Sequence, residues 1–225
     1  MKQSFIITGL MSLFLATTIT AQDATFNRVE FGVRFMPTVS SFDMRTSSGG
    51  VVTGEATLGF GGGAVLGFNL TNHIAIQGEA IYNSYSQKYK DQDMQREINI
   101  RYINVPLLLS LNTGKSNPVN LGIEFGPQFG FNIGSSISGS TGSHSDTLTT
   151  VLAVKKADFG FAYGAGLGFI LNKSKTIRLD LGFRGVYGFV NIGNTSQPKD
   201  NNSYYILDRA TVKTYSGYVG FSLLF

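Results

Sequence analysis

Tyr215-Ser-Gly-Tyr-Val-Gly-Phe-Ser-Leu-Leu-Phe225 is an alternating strand that stops on an aromatic residue. Val219, Phe221, Leu223 and Phe225 share one face, and Tyr218, Gly220, Ser222 and Leu224 share the other. A chain terminus in water usually frays, so so apolar a terminal strand needs a partner. A closed barrel supplies one, because its last strand pairs with its first and leaves no edge. In an outer-membrane barrel one face of that strand meets lipid and the other meets the lumen.

The same period-2 pattern recurs back to Phe26. Val29, Phe31, Val33 and Phe35 alternate with Glu30, Gly32 and Arg34. Leu58 to Leu70 alternates with glycines, and Ile74, Ile76, Ala80 and Tyr82 interleave with Gln77, Glu79 and Asn83. The run Ile103, Val105, Leu107, Leu109, Leu111 is apolar on both faces in places and alternates least. Three clean runs follow, at Val119 to Ile133, Phe159 to Phe169 and Ile177 to Phe189, before the terminal strand. The pattern predicts eight strands, each long enough for the roughly 9–11 residues of a tilted crossing.

The connections alternate in length. Those after odd strands are long and polar (residues 43–56, 90–97, 135–157 and 193–211), and those after even strands are short turns at residues 71–73, 114–118 and 172–175. This is the rhythm of short periplasmic turns and longer external loops, and an even strand count puts both termini in the periplasm. Only 14% of residues are charged and 28 of 225 are glycine, which suits a wall that faces lipid on one side. There is no cysteine, which excludes disulfides, thiolate metal sites and a lipid anchor on a processed cysteine. The net charge of +4 comes from scattered residues, with Lys155-Lys156 the only adjacent pair, so no nucleic-acid partner is expected.

Residues 1–21 are predicted to be a signal peptide: Lys2, an apolar run over residues 5–19, and Ala21 as a cleavage point before Gln22, although Ile19 is not the expected small residue. Residues 22–225 then form one barrel domain. Outward Tyr82, Tyr163, Tyr187 and Tyr215 are placed for an aromatic girdle in a chain that has no tryptophan. Inward positions hold Glu30, Arg34, Glu79, Glu124, Arg178, Asp180 and Arg184. An eight-stranded barrel is wide enough only for side chains to fill it, so these charges are expected to pair with one another.

Other motifs yield no site. Gly164-Ala-Gly166-Leu-Gly168 and Gly59-Phe-Gly61-Gly-Gly63 lack the strand-to-helix context of a phosphate loop and instead leave room for bulky neighbours in a narrow lumen. Ser143-His144-Ser145-Asp146 puts a nucleophile, a base and a carboxylate in one loop, but adjacent residues rarely converge as a triad. His73 falls in a predicted turn, far in sequence from His144, so no metal site is expected. Asp146-Thr147-Leu148 is similar to a short O-glycosylation sequon of Bacteroidetes, with Thr147 as the acceptor.

Tyr102-Ile-Asn-Val-Pro-Leu-Leu-Leu109, Gly122-Ile-Glu-Phe-Gly-Pro-Gln-Phe-Gly130, Asp158-Phe-Gly160 with Gly164-Ala-Gly166, and Tyr187-Gly-Phe-Val-Asn-Ile192 together resemble the PorT-like family of Bacteroidetes outer-membrane barrels. The resemblance implies an integral outer-membrane barrel and, through the family's namesake, an association with type IX protein secretion. It carries over no catalytic or ligand residues. The sequence thus predicts an all-β, eight-stranded antiparallel up-and-down transmembrane barrel with an N-terminal signal peptide. It is expected to be non-enzymatic, without cofactor or metal, monomeric, and to contact lipopolysaccharide, phospholipid and envelope or secretion proteins. A small channel or ligand-binding barrel is the alternative, and a lipid-modifying enzyme a third reading.

Overall fold

The computed structural model describes residues 26–45, 51–52, 55–91, 94–139, 149–151, 154–193, 203–205 and 209–225. The expected signal peptide, the Ser143–Asp146 motif and Thr147 lie outside the described residues. Eight strands build the wall: β1 (Val29–Arg45), β2 (Glu55–Asn69), β3 (Ile74–Asp91), β4 (Met94–Asn112), β5 (Val119–Gly139), β6 (Ala157–Ile170), β7 (Ile177–Gly188) and β8 (Arg209–Leu224). Each pairs antiparallel with its sequence neighbours, and β8 returns to β1 in register from Glu30↔Leu224 to Arg45↔Arg209. The barrel is closed, as the terminal strand predicts.

Closure is sealed where the chain ends. The Val29 amide donates to the Phe225 carbonyl and the Phe225 amide to the Val29 carbonyl, at 3.1 and 2.9 Å. The alternation decides which side chains face out. Phe31, Val33, Phe35, Phe183, Val219, Phe221 and Leu223 are exposed on the outer wall, while Glu30, Arg34, Tyr218, Ser222 and Leu224 between them are buried. An outer wall this apolar is stable only against hydrocarbon, since a soluble protein rarely exposes so continuous a surface.

The long-loop end differs from expectation. Residues 90–97 were expected as a polar loop, yet β3 runs to Asp91 and β4 restarts at Met94, paired from Lys88↔Glu97 to Asp91↔Met94. The stretches 43–56 and 135–157 likewise lose residues to β1, β2 and β5, and Val51–Val52 pairs back onto Met44–Arg45. The cause is a change of polarity along β3 and β4. Below it the outward residues are apolar (Tyr82, Ile103); above it they are Ser84, Ser86, Lys88, Glu97, Asn99 and Arg101. The inward residues change the opposite way, to Tyr85, Ile98, Ile100 and Tyr102, all buried. Where the wall leaves lipid its outside becomes polar and its inside apolar, so hydropathy drops while strand pairing continues. This also explains the weak alternation of the fourth strand.

Candidate functional site: the filled lumen

Half-way along the lumen four strands send charges to one level. Arg34 of β1, Glu79 of β3, Glu124 of β5 and Arg184 of β7 come from alternate strands, as layered barrel interiors do. Arg34 Nη1 donates to Glu79 Oε1 at 2.7 Å and lies 3.6 Å from Glu124 Oε1. Arg184 grips Glu79 through both terminal nitrogens, one bond being 3.0 Å, and also bonds Glu124. Gln77 Nε2 bonds Glu79 at 2.6 Å and Glu124 at 3.3 Å. Two carboxylates thus face two guanidinium groups, and the layer is neutral.

Tyr218 of β8 lies against this layer, with the Arg34 guanidinium carbon 4.0 Å from its ring centre. The ring occupies space that side chains at Gly166 and Gly182 would take: a Cβ on Gly182 would lie 2.5 Å from the Tyr218 Cζ and 2.6 Å from the Ala165 carbonyl, and one on Gly166 would overlap the phenol oxygen. Gly166, from the run at residues 164–168, and Gly182 thus make room for a lumenal aromatic, whereas Gly59 and Gly63 lie against backbone carbonyls and Gly61 against Asn83.

A second layer closes the short-turn end. Glu30 accepts a two-pronged bond from Arg178, at 2.9 and 2.6 Å, and Asn69 Nδ2 donates to it at 2.9 Å. Arg178 Nε also bonds Asp180 at 2.7 Å, whose other oxygen accepts from Ser222 at 2.9 Å. The fourth charge is Lys115, whose ammonium is 2.8 Å from Glu30 Oε1. It reaches in from the β4–β5 turn and is only 6% exposed. Burial pulls its pKa below the ordinary lysine range, and Glu30 beside it opposes that shift.

The turn geometry directs Lys115 inward. Gly114, at φ 131°, reverses the chain in a conformation that disfavours other residues. The Lys115 amide then donates to the Asn72 carbonyl at 2.8 Å and the Ser116 amide to Asn72 Oδ1 at 2.9 Å, tying two turns together. Lys175 Nζ donates to the Ser116 carbonyl at 2.8 Å, adding the third turn. Strand periodicity says nothing about turn side chains, so this residue was not among those predicted to be inward. An unusually polar Gly-Lys turn beneath an unbalanced inward glutamate was the available signal.

Between the two layers lies a cavity of about 40 Å³, lined among others by Arg34, Asn120, Glu124 and Arg178. Arg34 Nε and Asn120 Nδ2 have no protein partner, and the cavity has room for water to reach them. A second cavity, about 10 Å³, lies above the mid-lumen layer beside Arg184, Tyr85 and Asn104. Among the described residues, Arg34, Glu79, Glu124 and Arg184 join opposite sides of the wall across the middle of the lumen.

All seven charges predicted to face inward do so, and each belongs to one of the two layers. Tyr82, Tyr163, Tyr187 and Tyr215 are exposed on the outer wall, with Tyr215 stacked on Phe183 at 6.2 Å between ring centres and Lys213 Nζ 5.1 Å from the Tyr187 ring. His73 is exposed in its turn, with Nδ1 3.1 Å from the Asn112 carbonyl oxygen. No group of three or more acidic, histidine or cysteine residues positioned for a metal occurs among the described residues.

The family model described as "Outer membrane protein beta-barrel domain" matches residues 20–194. Among solved structures, OprG of Pseudomonas aeruginosa is similar at 13% identity, covering 89% of this chain and 97% of its own, with a TM-score of 0.57. Neisserial surface protein A matches at 15% identity over 88% of this chain and 97% of its own, TM-score 0.46. Ail of Yersinia pestis matches at 14% identity over 88% of this chain and 100% of its own, TM-score 0.43. At such identities the likeness is one of fold. No curated protein matches the chain by sequence. With closure, a lipid-grade outer wall and the family match in agreement, the chain belongs to the outer membrane protein beta-barrel domain family and is an eight-stranded barrel of the outer membrane.

Proposed function

We propose that the protein is a non-enzymatic interaction scaffold whose work is done at its rims and loops and not through its lumen. The observation that supports this most is the filled interior: two neutral charge layers that leave cavities of about 40 and 10 Å³. In this reading the short turns and both termini face the periplasm and the long loops face outward. Single-cysteine labelling of intact cells tests the orientation against a cysteine-free background. Ser136→Cys at the loop end should react and Ser174→Cys in a turn should not; the reverse pattern inverts the assignment.

Purified protein in planar bilayers should show no stable single-channel events, whereas regular conductance steps from the wild-type chain would replace the scaffold with a channel. Within the scaffold reading we place an accessory role in protein export, supported by the resemblance of residues 102–109 and 122–130 to PorT-like barrels. A deletion strain should then secrete less protein. Normal secretion with an intact envelope would remove that role.

A further inference from the structure

The two ends of the barrel differ in charge. The described segments of the turn end, residues 26–28, 70–73, 113–118 and 171–176, contain Arg28, Lys115, Lys173 and Lys175 and no aspartate or glutamate. Lys115 is engaged inside by Glu30, so the surface cations are Arg28, Lys173 and Lys175, all exposed. At the loop end, by contrast, Lys88, Arg101, Lys155 and Lys156 share the rim with Glu97.

The segments that carry the three cations adjoin. Asn27 Nδ2 donates to the Lys175 carbonyl at 3.1 Å, which joins the residue before Arg28 to the β6–β7 turn. The end of β8 lies between these segments, with the Leu224 amide on the Thr176 carbonyl and Phe225 paired to Val29. Among the described residues the patch holds no aspartate or glutamate side chain against the three cations. Lys175 is pinned on the rim by its bond to the Ser116 carbonyl, and the Arg28 guanidinium carbon sits 6.0 Å from the Phe26 ring centre. Leu171, Ile177, Leu223 and Phe225 are the last exposed apolar residues of the outer wall on this side. The cations therefore stand just past the hydrocarbon boundary, at headgroup level.

We propose that Arg28, Lys173 and Lys175 form a one-sided rim site for the phosphodiester headgroups of anionic phospholipids. Lysine meets such a phosphate as a point charge and arginine as a two-pronged donor. A zwitterionic headgroup presents the same phosphate with its own ammonium attached, so the patch gains less from it. The site depends on the barrel lying in a bilayer, and stands whether or not the lumen conducts or the termini face the periplasm.

The chain has no tryptophan, so one introduced tryptophan reports a single place. Leu171→Trp puts the reporter beside the patch; Leu109→Trp puts it on β4, diametrically across the barrel from β8 in the strand order. Each variant is reconstituted in phosphatidylcholine vesicles doped with brominated phosphatidylglycerol or with brominated phosphatidylcholine, and quenching is compared. The Leu171→Trp protein should favour phosphatidylglycerol by about fivefold or more, the size expected of one well-placed cation. High salt or Arg28→Gln/Lys173→Gln/Lys175→Gln should remove the preference, and Leu109→Trp should show none. Lys175→Gln also gives up the bond to the Ser116 carbonyl, so heat-modified gel mobility verifies that each variant is folded. Equal quenching by both lipids at Leu171→Trp, or a preference that survives the triple substitution, overturns the site.

Discussion

The two charge layers of the lumen meet the same requirement with different parts. The mid-lumen layer takes Arg34, Glu79, Glu124 and Arg184 from β1, β3, β5 and β7, and every member is placed by strand alternation. The turn-end layer has Glu30, Arg178 and Asp180 on strands but completes its charge balance with Lys115 from a turn. A charge on a strand has its direction dictated by the pleat. A charge on a turn is directed by that turn's own hydrogen bonds, here Gly114 and the Asn72 contacts. The first layer belongs to the wall itself, and the second also locks the turns to the wall.

Three substitutions probe this difference, each followed by urea titration of the barrel refolded in vesicles. Glu79→Ala removes the carboxylate shared by Arg34 and Arg184 and leaves two buried guanidinium groups on Glu124 alone. It should cost about 3–5 kcal/mol, the usual penalty for breaking a buried ion network. A loss below about 1 kcal/mol would mean water replaces the carboxylate and the layer is not the wall's main tie.

Lys115→Ala should cost less, about 1.5–3 kcal/mol, because Arg178 keeps its two-pronged hold on Glu30. A cost equal to that of Glu79→Ala would erase the distinction between wall and turn. The lysine also carries a pH signature. Its folded pKa lies below its unfolded one, so the unfolded chain binds more protons in the alkaline range and stability rises with pH there. Wild type should gain on Lys115→Met as pH climbs towards the ordinary lysine range, and a flat difference would place the ammonium in water.

Gly182→Ala should cost about 1–3 kcal/mol by driving a methyl group into Tyr218 and the Ala165 carbonyl. Gly217→Ala is its control, since a Cβ there meets nothing within 4 Å. If the two glycines behave alike, Tyr218 has freedom to move and the lumen is less tightly filled than the distances imply.

Much of this was readable in the chain. The phase of each alternating run separates lipid-facing Phe221 and Leu223 from lumenal Ser222 and Leu224, and the same phase assigns the seven charges predicted to face inward. Strand length was less readable. Above Tyr82 and Ile103 the outward residues turn polar, so hydropathy marked a loop where β3 and β4 continue to Asp91 and Met94. Hydropathy reports the solvent around a strand, while hydrogen bonding reports the strand itself. Tyr218 shows a further limit: period 2 turns it inward, but only the fold reveals that Gly166 and Gly182 vacate the space for its ring.

By itself the sequence determined the barrel's class, its strand number, its lipid face and the sign of seven lumenal charges carried on strands, because those follow from a two-residue period and from composition. The tertiary structure decided which charges meet. Arg34 and Glu79 are 45 residues apart, and Arg178 and Glu30 are 148 apart. Such pairs depend on strand register and barrel closure, which no local period encodes. It also decided that Lys115 points into the barrel while Lys173 and Lys175 stay outside, a choice made by turn hydrogen bonds that residue types alone do not specify.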